Sequence, residues 1–432
     1  MRTQPVTIAW AALAMMLSLA AQARDLSLPE AKPEAVGFSS ERLKRLDTGL
    51  KAVVDNKQLS GITAVVARHG QVVHEMSYGH ADIAGNKPMQ MDTIVRVYSM
   101  TKPITGVAMM MLYEEGKWKP SDPIAKHIPE FKDLKVYSGT GADGQPTFEA
   151  PKHPPTVGEL MSHTAGFTYG AFGNTPVDKM YQQAAPLGAK SLQEFIERMA
   201  KLPLLYQPGE GWTYSVGVDI QGYLVEKLSG KAFPDFLRER IFEPLGMKDS
   251  AFYVPKEKMS RLAIIYSWSA DKLTPMPADP SVNTLPGLPS GGGGLYSTTA
   301  DYLRFAQMLA NKGELDGKRL LAPSTVALMT SNAVPDAVKE QRKFGIGAYR
   351  SQPGFGFGFD VAILEEPLRL GSTVGKGTFF WDGLAGTWFW VDPTNDVVYL
   401  SIIQIRGGPA GVPNLEEFSR QLTYQALVDP SK

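Results

Sequence analysis

The sequence predicts an α/β fold: one sheet built from both ends of the chain, with a mostly helical domain inserted between them. Three observations carry this. Extended, β-branched runs occur early, at Ile62 to Ala67 and Gln71 to His74, around a His69-Gly70 turn. Strand character returns in the last third, at Phe379–Trp381, Trp388–Val391 and Val397–Ile403, with a turn at Asp392-Pro393-Thr394-Asn395. Between them, helical patches alternate with Pro- and Gly-rich loops. The expected organisation is an α/β domain from 24–116 and 290–432, with 117–289 as the inserted helical domain.

The elements follow in order. Ser39 to Val54 carries Leu43, Leu46, Leu50 and Val53 at helical spacing. Thr93 to Tyr98 reads as a short extended piece, and Thr105 to Glu115 as a helix stopped by Gly116. Leu192–Met199, Ile220–Leu228 and Phe236–Phe242 are the helical patches of the middle section. Ser290-Gly291-Gly292-Gly293-Gly294 reads as a loop that lets another backbone approach closely. An amphipathic helix follows at Thr298 to Leu309, and a last helix runs from Leu415 to Leu427.

Composition narrows the function. The 432 residues hold 44 Lys+Arg against 44 Asp+Glu, which leaves no electrostatic footprint for nucleic acid or anionic lipid. There is no Cys, so no disulfide, thiol nucleophile or Cys-ligated zinc. The 6 His end at His163, so an α/β-hydrolase triad, whose His comes last, does not fit, and no G-x-S-x-G is present. H-E-x-x-H and the phosphate-loop motif are also missing. A hydrolase built from these residues needs a base other than histidine.

The N-terminus has the pattern of an export signal. Arg2 is a short basic region, Val6 to Ala20 is largely apolar, and Ala21-Gln22-Ala23 is a small-residue cleavage site. The apolar run falls short of the ~20 residues that span a bilayer. Residues 1–23 are therefore expected to be cleaved after Ala23. The mature protein is then expected in the periplasm or outside the cell, without stable membrane insertion.

The strongest local signal is Val97-Tyr98-Ser99-Met100-Thr101-Lys102-Pro103. A Ser at a helix start faces free N–H groups, and a Lys three positions on returns to its side of the helix. Ser is a poor nucleophile until a neighbouring base takes its proton, and a buried Lys can be that base. The spacing is common: Ser269-Ala270-Asp271-Lys272 repeats it in a polar stretch with no strand-to-helix context. On spacing alone, Ser99 reads equally as a nucleophile and as an ordinary N-cap.

More motifs come in one order: Leu160-Met161-Ser162-His163-Thr164-Ala165-Gly166, Gln207-Pro208-Gly209 before Tyr214-Ser215, Glu243-Pro244-Leu245-Gly246-Met247, and Gly291 to Ser297. With Ser99-Met100-Thr101-Lys102 they resemble the serine β-lactamase and penicillin-binding-protein superfamily. The likeness is greatest to class C β-lactamases and family VIII carboxylesterases, and it covers roughly Pro33 to Leu427. It implies the β-lactamase/DD-peptidase-like fold, an antiparallel sheet flanked by helices plus an inserted, mostly helical domain.

The resemblance also implies a site. Ser99 and Lys102 match the family's nucleophile and lysine, and Tyr214 matches the tyrosine of its Y-x-N motif. Trp381-Asp382-Gly383 stands where the β-lactamases have K-T-G, so Leu384 and Ser99 would offer the oxyanion N–H groups. Val216 replaces the Asn of Y-x-N, and Trp381 replaces the Lys that pairs with a β-lactam carboxylate. Both departures subtract β-lactam recognition and leave the Ser/Lys/Tyr chemistry in place. No metal or organic cofactor is implied.

The expected function is a secreted carboxylesterase that cleaves small or short-acyl esters through an acyl-Ser99 intermediate, with weak cephalosporin hydrolysis beside it; its expected partner is the small-molecule ester, with no nucleic acid. Its alternatives are a β-lactamase or D-Ala-D-Ala carboxypeptidase, and a catalytically silent cell-wall binding module. Other residues read as structural: His163 in its helix-to-loop motif, Trp388 and Trp390 as packing, and Phe355, Phe357 and Phe359 as a glycine-rich loop.

Overall fold

The computed structural model describes residues 28–340, 354–408 and 412–432. The proposed signal, residues 1–23, lies outside them. The fold is organised by one eight-stranded antiparallel sheet. Its strands are β1 (Gly61–Arg68), β2 (Gln71–Asp82), β3 (Lys87–Pro88), β4 (Phe355–Phe357), β5 (Ala362–Leu364), β6 (Thr378–Gly383), β7 (Thr387–Asp392) and β8 (Val397–Ile402). The spatial order is β4-β5-β6-β7-β8-β1-β2-β3. The seam between the two ends of the chain is thus the β8–β1 pair, with Val65 opposite Leu400 and Val66 opposite Tyr399.

β1 is buried along its whole length, because the helices α1 (Ser40–Asp55), α4 (Thr299–Ala310) and α5 (Leu415–Tyr424) pack around this part of the sheet. Two further helices, α2 (Thr101–Glu114) and α3 (Gly217–Ser229), pack against each other. α1 begins at an Ser39 cap that accepts from the Arg42 N–H, and it buries Leu43, Leu46, Leu50 and Val53, the residues picked out by spacing. α2 is different. Every residue from Thr101 to Leu112 is buried, so it is a core helix with no solvent stripe.

Arg68, at the end of β1, is buried and ties distant segments together. Its guanidinium donates to the carbonyls of Val36, Asn395, Asp429 and Pro430. The N-terminal leader, the β7–β8 turn and the C-terminal tail therefore meet on one side chain.

Several expectations need correction. Phe355–Phe357 is the edge strand β4, paired with Leu364 to Ala362, rather than a loop. Phe355, Phe357 and Phe359 are all buried. The extended piece expected at Thr93 to Tyr98 is strand only at Val95–Arg96, paired with Tyr296–Ser297, before a helical turn at Tyr98–Met100. The middle section holds strands as well as helices: hairpins at 136–149 and 266–275, the second joined in parallel by Ile405–Arg406. Ser269 and Lys272 belong to that second hairpin, whose turn residues Ala270 and Asp271 are left-handed. Trp388 and Trp390 do pack. Trp388 donates to Ser419 Oγ, and Trp390 stacks on Tyr399 with ring centres 4.0 Å apart.

Candidate active site

The site starts from a strained turn. Tyr98 has φ +44°, a left-handed conformation that costs a bulky residue about 1–3 kcal/mol. The turn is held because Met100 N–H donates to the Val97 carbonyl and Val97 N–H to the Leu295 carbonyl, both at 3.1 Å. Tyr302 Oη also donates to the Met100 carbonyl. Ser99 emerges from this turn half-buried, directly before α2.

α2 grips the Ser290–Gly294 loop through three side chains. Thr101 Oγ1 accepts the Leu295 N–H, Thr105 Oγ1 donates to the Gly291 carbonyl, and Lys102 Nζ donates to the Gly292 carbonyl at 2.5 Å. The glycine run permits this approach. A Cβ on Gly292 would stand 2.6 Å from Asp219 Oδ2 and 2.8 Å from Tyr169 Oη.

Lys102 is fully buried, and its Nζ lies 3.2 Å from Ser99 Oγ. Burial pushes its pKa down to about 8, against the opposing pull of Asp219, Asp360 and Asp382. The ammonium also stands 4.5 Å from the centre of the Tyr214 ring and 5.4 Å from that of Tyr169. A lysine whose pKa is lowered to about 8, within reach of a serine hydroxyl, can act as a base towards it through its neutral fraction.

Two buried carboxylates complete the surroundings, and the sequence reading missed both. Asp219, on α3, accepts from Ser290 Oγ at 2.5 Å and from the Gly292 N–H at 3.1 Å, so it holds the loop that holds Lys102. Asp360 accepts from Gln221 Nε2 at 3.0 Å. Desolvation raises both carboxyl pKa values, and that of Asp360 well above the usual range. The available signal was a single carboxylate inside an apolar run, Val218-Asp219-Ile220 and Phe359-Asp360-Val361.

Each residue singled out from the sequence can now be placed. Ser99, Tyr214, Trp381 and Leu384 all line one cavity of about 710 Å³, with Lys102 behind Ser99. The Tyr214 and Trp381 rings pack at a tilt with centres 5.4 Å apart, and Phe357 meets Trp381 edge-on at 5.3 Å. Val216 is buried in the core at the start of α3 and does not line the cavity. Gly383 ends β6 against the Ser99 turn: a Cβ there would stand 2.3 Å from the Val97 carbonyl, so only glycine lets the strand come this close. Ser269 lies in the distant hairpin and takes no part in the cavity.

His163 is buried beside the site, with its ring 5.1 Å from that of Tyr214. Its Nδ1 shares a 3.0 Å hydrogen bond with Ser215 Oγ. Burial, helped by the charge on Lys102, holds its pKa well below the usual histidine value. Its contacts fit a neutral packing group behind the tyrosine. Among the described residues, no group of three or more His, Asp or Glu is gathered to hold a metal ion.

A family model described as Beta-lactamase matches residues 46–420. The chain belongs to the beta-lactamase family. Protein Rv1367c of Mycobacterium tuberculosis is 34% identical over 359 residues, 82% of this chain and 88% of that protein. Esterase EstB of Burkholderia gladioli is 30% identical over 367 residues, 80% of this chain and 86% of EstB. Among solved structures, EstCE1, described as a hydrolase with promiscuous acyltransferase activity, superimposes with a TM-score of 0.75 at 25% identity. That match covers 89% of this chain and 99% of EstCE1. The sheet flanked by helices is therefore the beta-lactamase-like fold, and the relatives support a serine hydrolase.

Proposed function

We propose that this member of the beta-lactamase family is a carboxylesterase, cleaving small or short-acyl esters through an acyl-enzyme on Ser99. The observation that carries the reading is the buried Lys102, 3.2 Å from Ser99 Oγ and with a pKa pushed down to about 8. Neutral Lys102 takes the Ser99 proton as Oγ attacks the ester carbonyl. The N–H groups of Ser99 and Leu384 receive the oxyanion. Tyr214 shares the proton with Lys102, and the pair returns it to the departing alkoxide. Water then attacks the acyl carbonyl and gives a proton to the same pair, which passes it to Ser99 Oγ as the Oγ–acyl bond breaks and the acid leaves.

Esters are favoured over β-lactams by one position that lines the cavity. Trp381 stands where a carboxylate-binding cation would be needed, and it is buried among aromatic rings. The similarity to the esterase EstB supports the same reading. Weak cephalosporin hydrolysis is part of the proposal. So is export, with the mature chain beginning at Arg24, which N-terminal sequencing of secreted protein checks.

The test is a turnover panel of p-nitrophenyl esters from acetate to laurate, nitrocefin and a D-Ala-D-Ala peptide. Short p-nitrophenyl esters are expected to give the highest kcat/KM. A higher value for nitrocefin or the peptide would overturn the reading.

A further inference from the structure

Asp360 lies close enough to Lys102 for their charges to interact, yet the reaction above gives it no part. It stands in the loop between β4 and β5 at φ +63°, fully buried. The backbone around it is fixed: Asp360 N–H donates to the Met161 carbonyl at 3.1 Å, and Phe359 N–H to the Met329 carbonyl at 2.9 Å. Its carboxyl group lies against α2, where a Cβ on Gly106 would stand 3.0 Å from Asp360 Oδ2. Gly106 is one helical turn beyond Lys102, so both lie on one face of α2.

The hydrogen bonding of this carboxyl group is half complete. Oδ1 accepts from Gln221 Nε2 at 3.0 Å. Among the described residues nothing bonds to Asp360 Oδ2 or to Gln221 Oε1, and both atoms are shut off from water. The two leftover oxygens thus belong to the same pair of side chains. A carboxylate only accepts, and so does an amide oxygen, so in the ionised pair neither can serve the other. A carboxylic acid has an O–H to give. One proton on Oδ2, directed at Gln221 Oε1, satisfies both atoms and closes an acid–amide pair with two antiparallel hydrogen bonds.

The balance of charge leads to the same state. Lys102 on α2 already has Asp219 on α3 and Asp382 on β6 acting on it. Burial keeps His163 and Tyr169 neutral, and Tyr214 presents its ring to the ammonium. A further buried carboxylate would have no cation of its own, and such a group takes up a proton instead. Burial indeed pushes the Asp360 pKa well above the usual carboxylate range, against the weaker pulls of Gln221 and Lys102.

We infer that Asp360 is a carboxylic acid at neutral pH, with its proton on Oδ2 bonded to Gln221 Oε1, and that it joins the loop before β5 to α2 and α3 without placing a charge beside Lys102. Asp360 is then a positioning residue. A negative charge there would hold Lys102 in its protonated form, which cannot take the Ser99 proton. The neutral acid keeps the packing and both hydrogen bonds and spares the base. The effect on rate rests on the esterase reading above; the place of the proton does not.

Infrared spectra of the full-length mature protein read the proton directly. They are taken near pH 8, where Asp301, another buried carboxyl group with a pKa of about 6, is ionised. The wild type is expected to show the carbonyl stretch of a protonated carboxyl group. Asp360→Asn should lose that band, and Gln221→Met, which removes the acceptor of the proton, should move it to higher wavenumber. The Asn amide offers an N–H where the acid has its O–H, and it tolerates φ +63°, so this variant should fold. Its kcat should stay within about twofold of wild type, with the midpoint of kcat/KM against pH unmoved. Asp219→Asn, by contrast, should lower that midpoint.

An infrared spectrum that is the same in wild type and Asp360→Asn would overturn the inference, as would a midpoint that falls in Asp360→Asn as it does in Asp219→Asn. Either result marks an ionised Asp360 and leaves the esterase reading standing. If no ester is turned over and Ser99 takes no fluorophosphonate label, the esterase reading fails, and the infrared band still decides where the proton is.

Discussion

The Lys102 ammonium sits 4.5 Å from the centre of the Tyr214 ring while its nitrogen lies 3.2 Å from Ser99 Oγ. The ring and the hydroxyl thus converge on one nitrogen, which is also tied to the Gly292 carbonyl. That arrangement places the base without a histidine. It also explains why the flanking carboxylate Asp219 matters: it holds Gly292 in position through the loop N–H and the Ser290 hydroxyl.

The first prediction concerns the nucleophile. Ser99→Ala should abolish ester turnover and fluorophosphonate labelling. Ser269→Ala, in the hairpin at 266–275, should change neither. Full labelling of the Ser99→Ala protein, read by mass spectrometry, would place the nucleophile elsewhere.

The second concerns proton transfer. Lys102→Ala and Tyr214→Phe should each lower kcat by roughly 10²–10⁴-fold, the usual size of a general acid–base contribution. His163→Asn should keep most activity. His163 has φ +60°, which Asn tolerates better than most residues, so the fold should survive. An inactive but folded His163→Asn protein, alongside an active Lys102→Ala one, would reverse the assignment.

The third concerns pH. The base works when neutral, so kcat/KM should rise with pH and level off above the lysine pKa, near 8. No inflection near the usual histidine value is expected, because burial keeps His163 neutral there. The Asp219 charge raises the Lys102 pKa, so Asp219→Asn should move the midpoint to lower pH while reducing the plateau. A pH-rate profile whose midpoint stays put or rises in this variant would contradict the electrostatic account.

The fourth concerns substrate choice. A cationic side chain's hydrogen bond to a carboxylate contributes ~1.5–3 kcal/mol, about 10- to 150-fold, and Trp381 brings no positive charge to make it. Short neutral esters should therefore exceed penicillins in kcat/KM by about two orders of magnitude. A penicillin that matches p-nitrophenyl butyrate in the same assay would favour a β-lactamase.

The fifth concerns stability. Arg68→Met keeps the apolar stem and removes the guanidinium that four carbonyls share. The loss should be at least about 2 kcal/mol, since hydrogen bonds made by a charged group are worth about 1.5–3 kcal/mol each. Urea unfolding of the two proteins measures it, and equal midpoints would show that the clamp is dispensable.

The sequence by itself determined the elements whose periodicity is long enough to read. The helix from Leu192 to Met199 is predicted and found with the same bounds, and the strand pairs β1–β2 and β7–β8 lie where the extended, β-branched runs and turn residues put them. It also determined the Ser99–Lys102 spacing, because i to i+3 is a local helical relation. Only the tertiary structure decided the rest. Phe355–Phe357 is three residues long, too short to show a period, and becomes a strand because β5 offers it a partner edge. Asp219 and Asp360 lie far apart in the chain, and their effect on Lys102 exists only once α2, α3 and the loop before β5 close around it. The pKa of that lysine follows from burial, a property of the packed core, which local spacing does not carry.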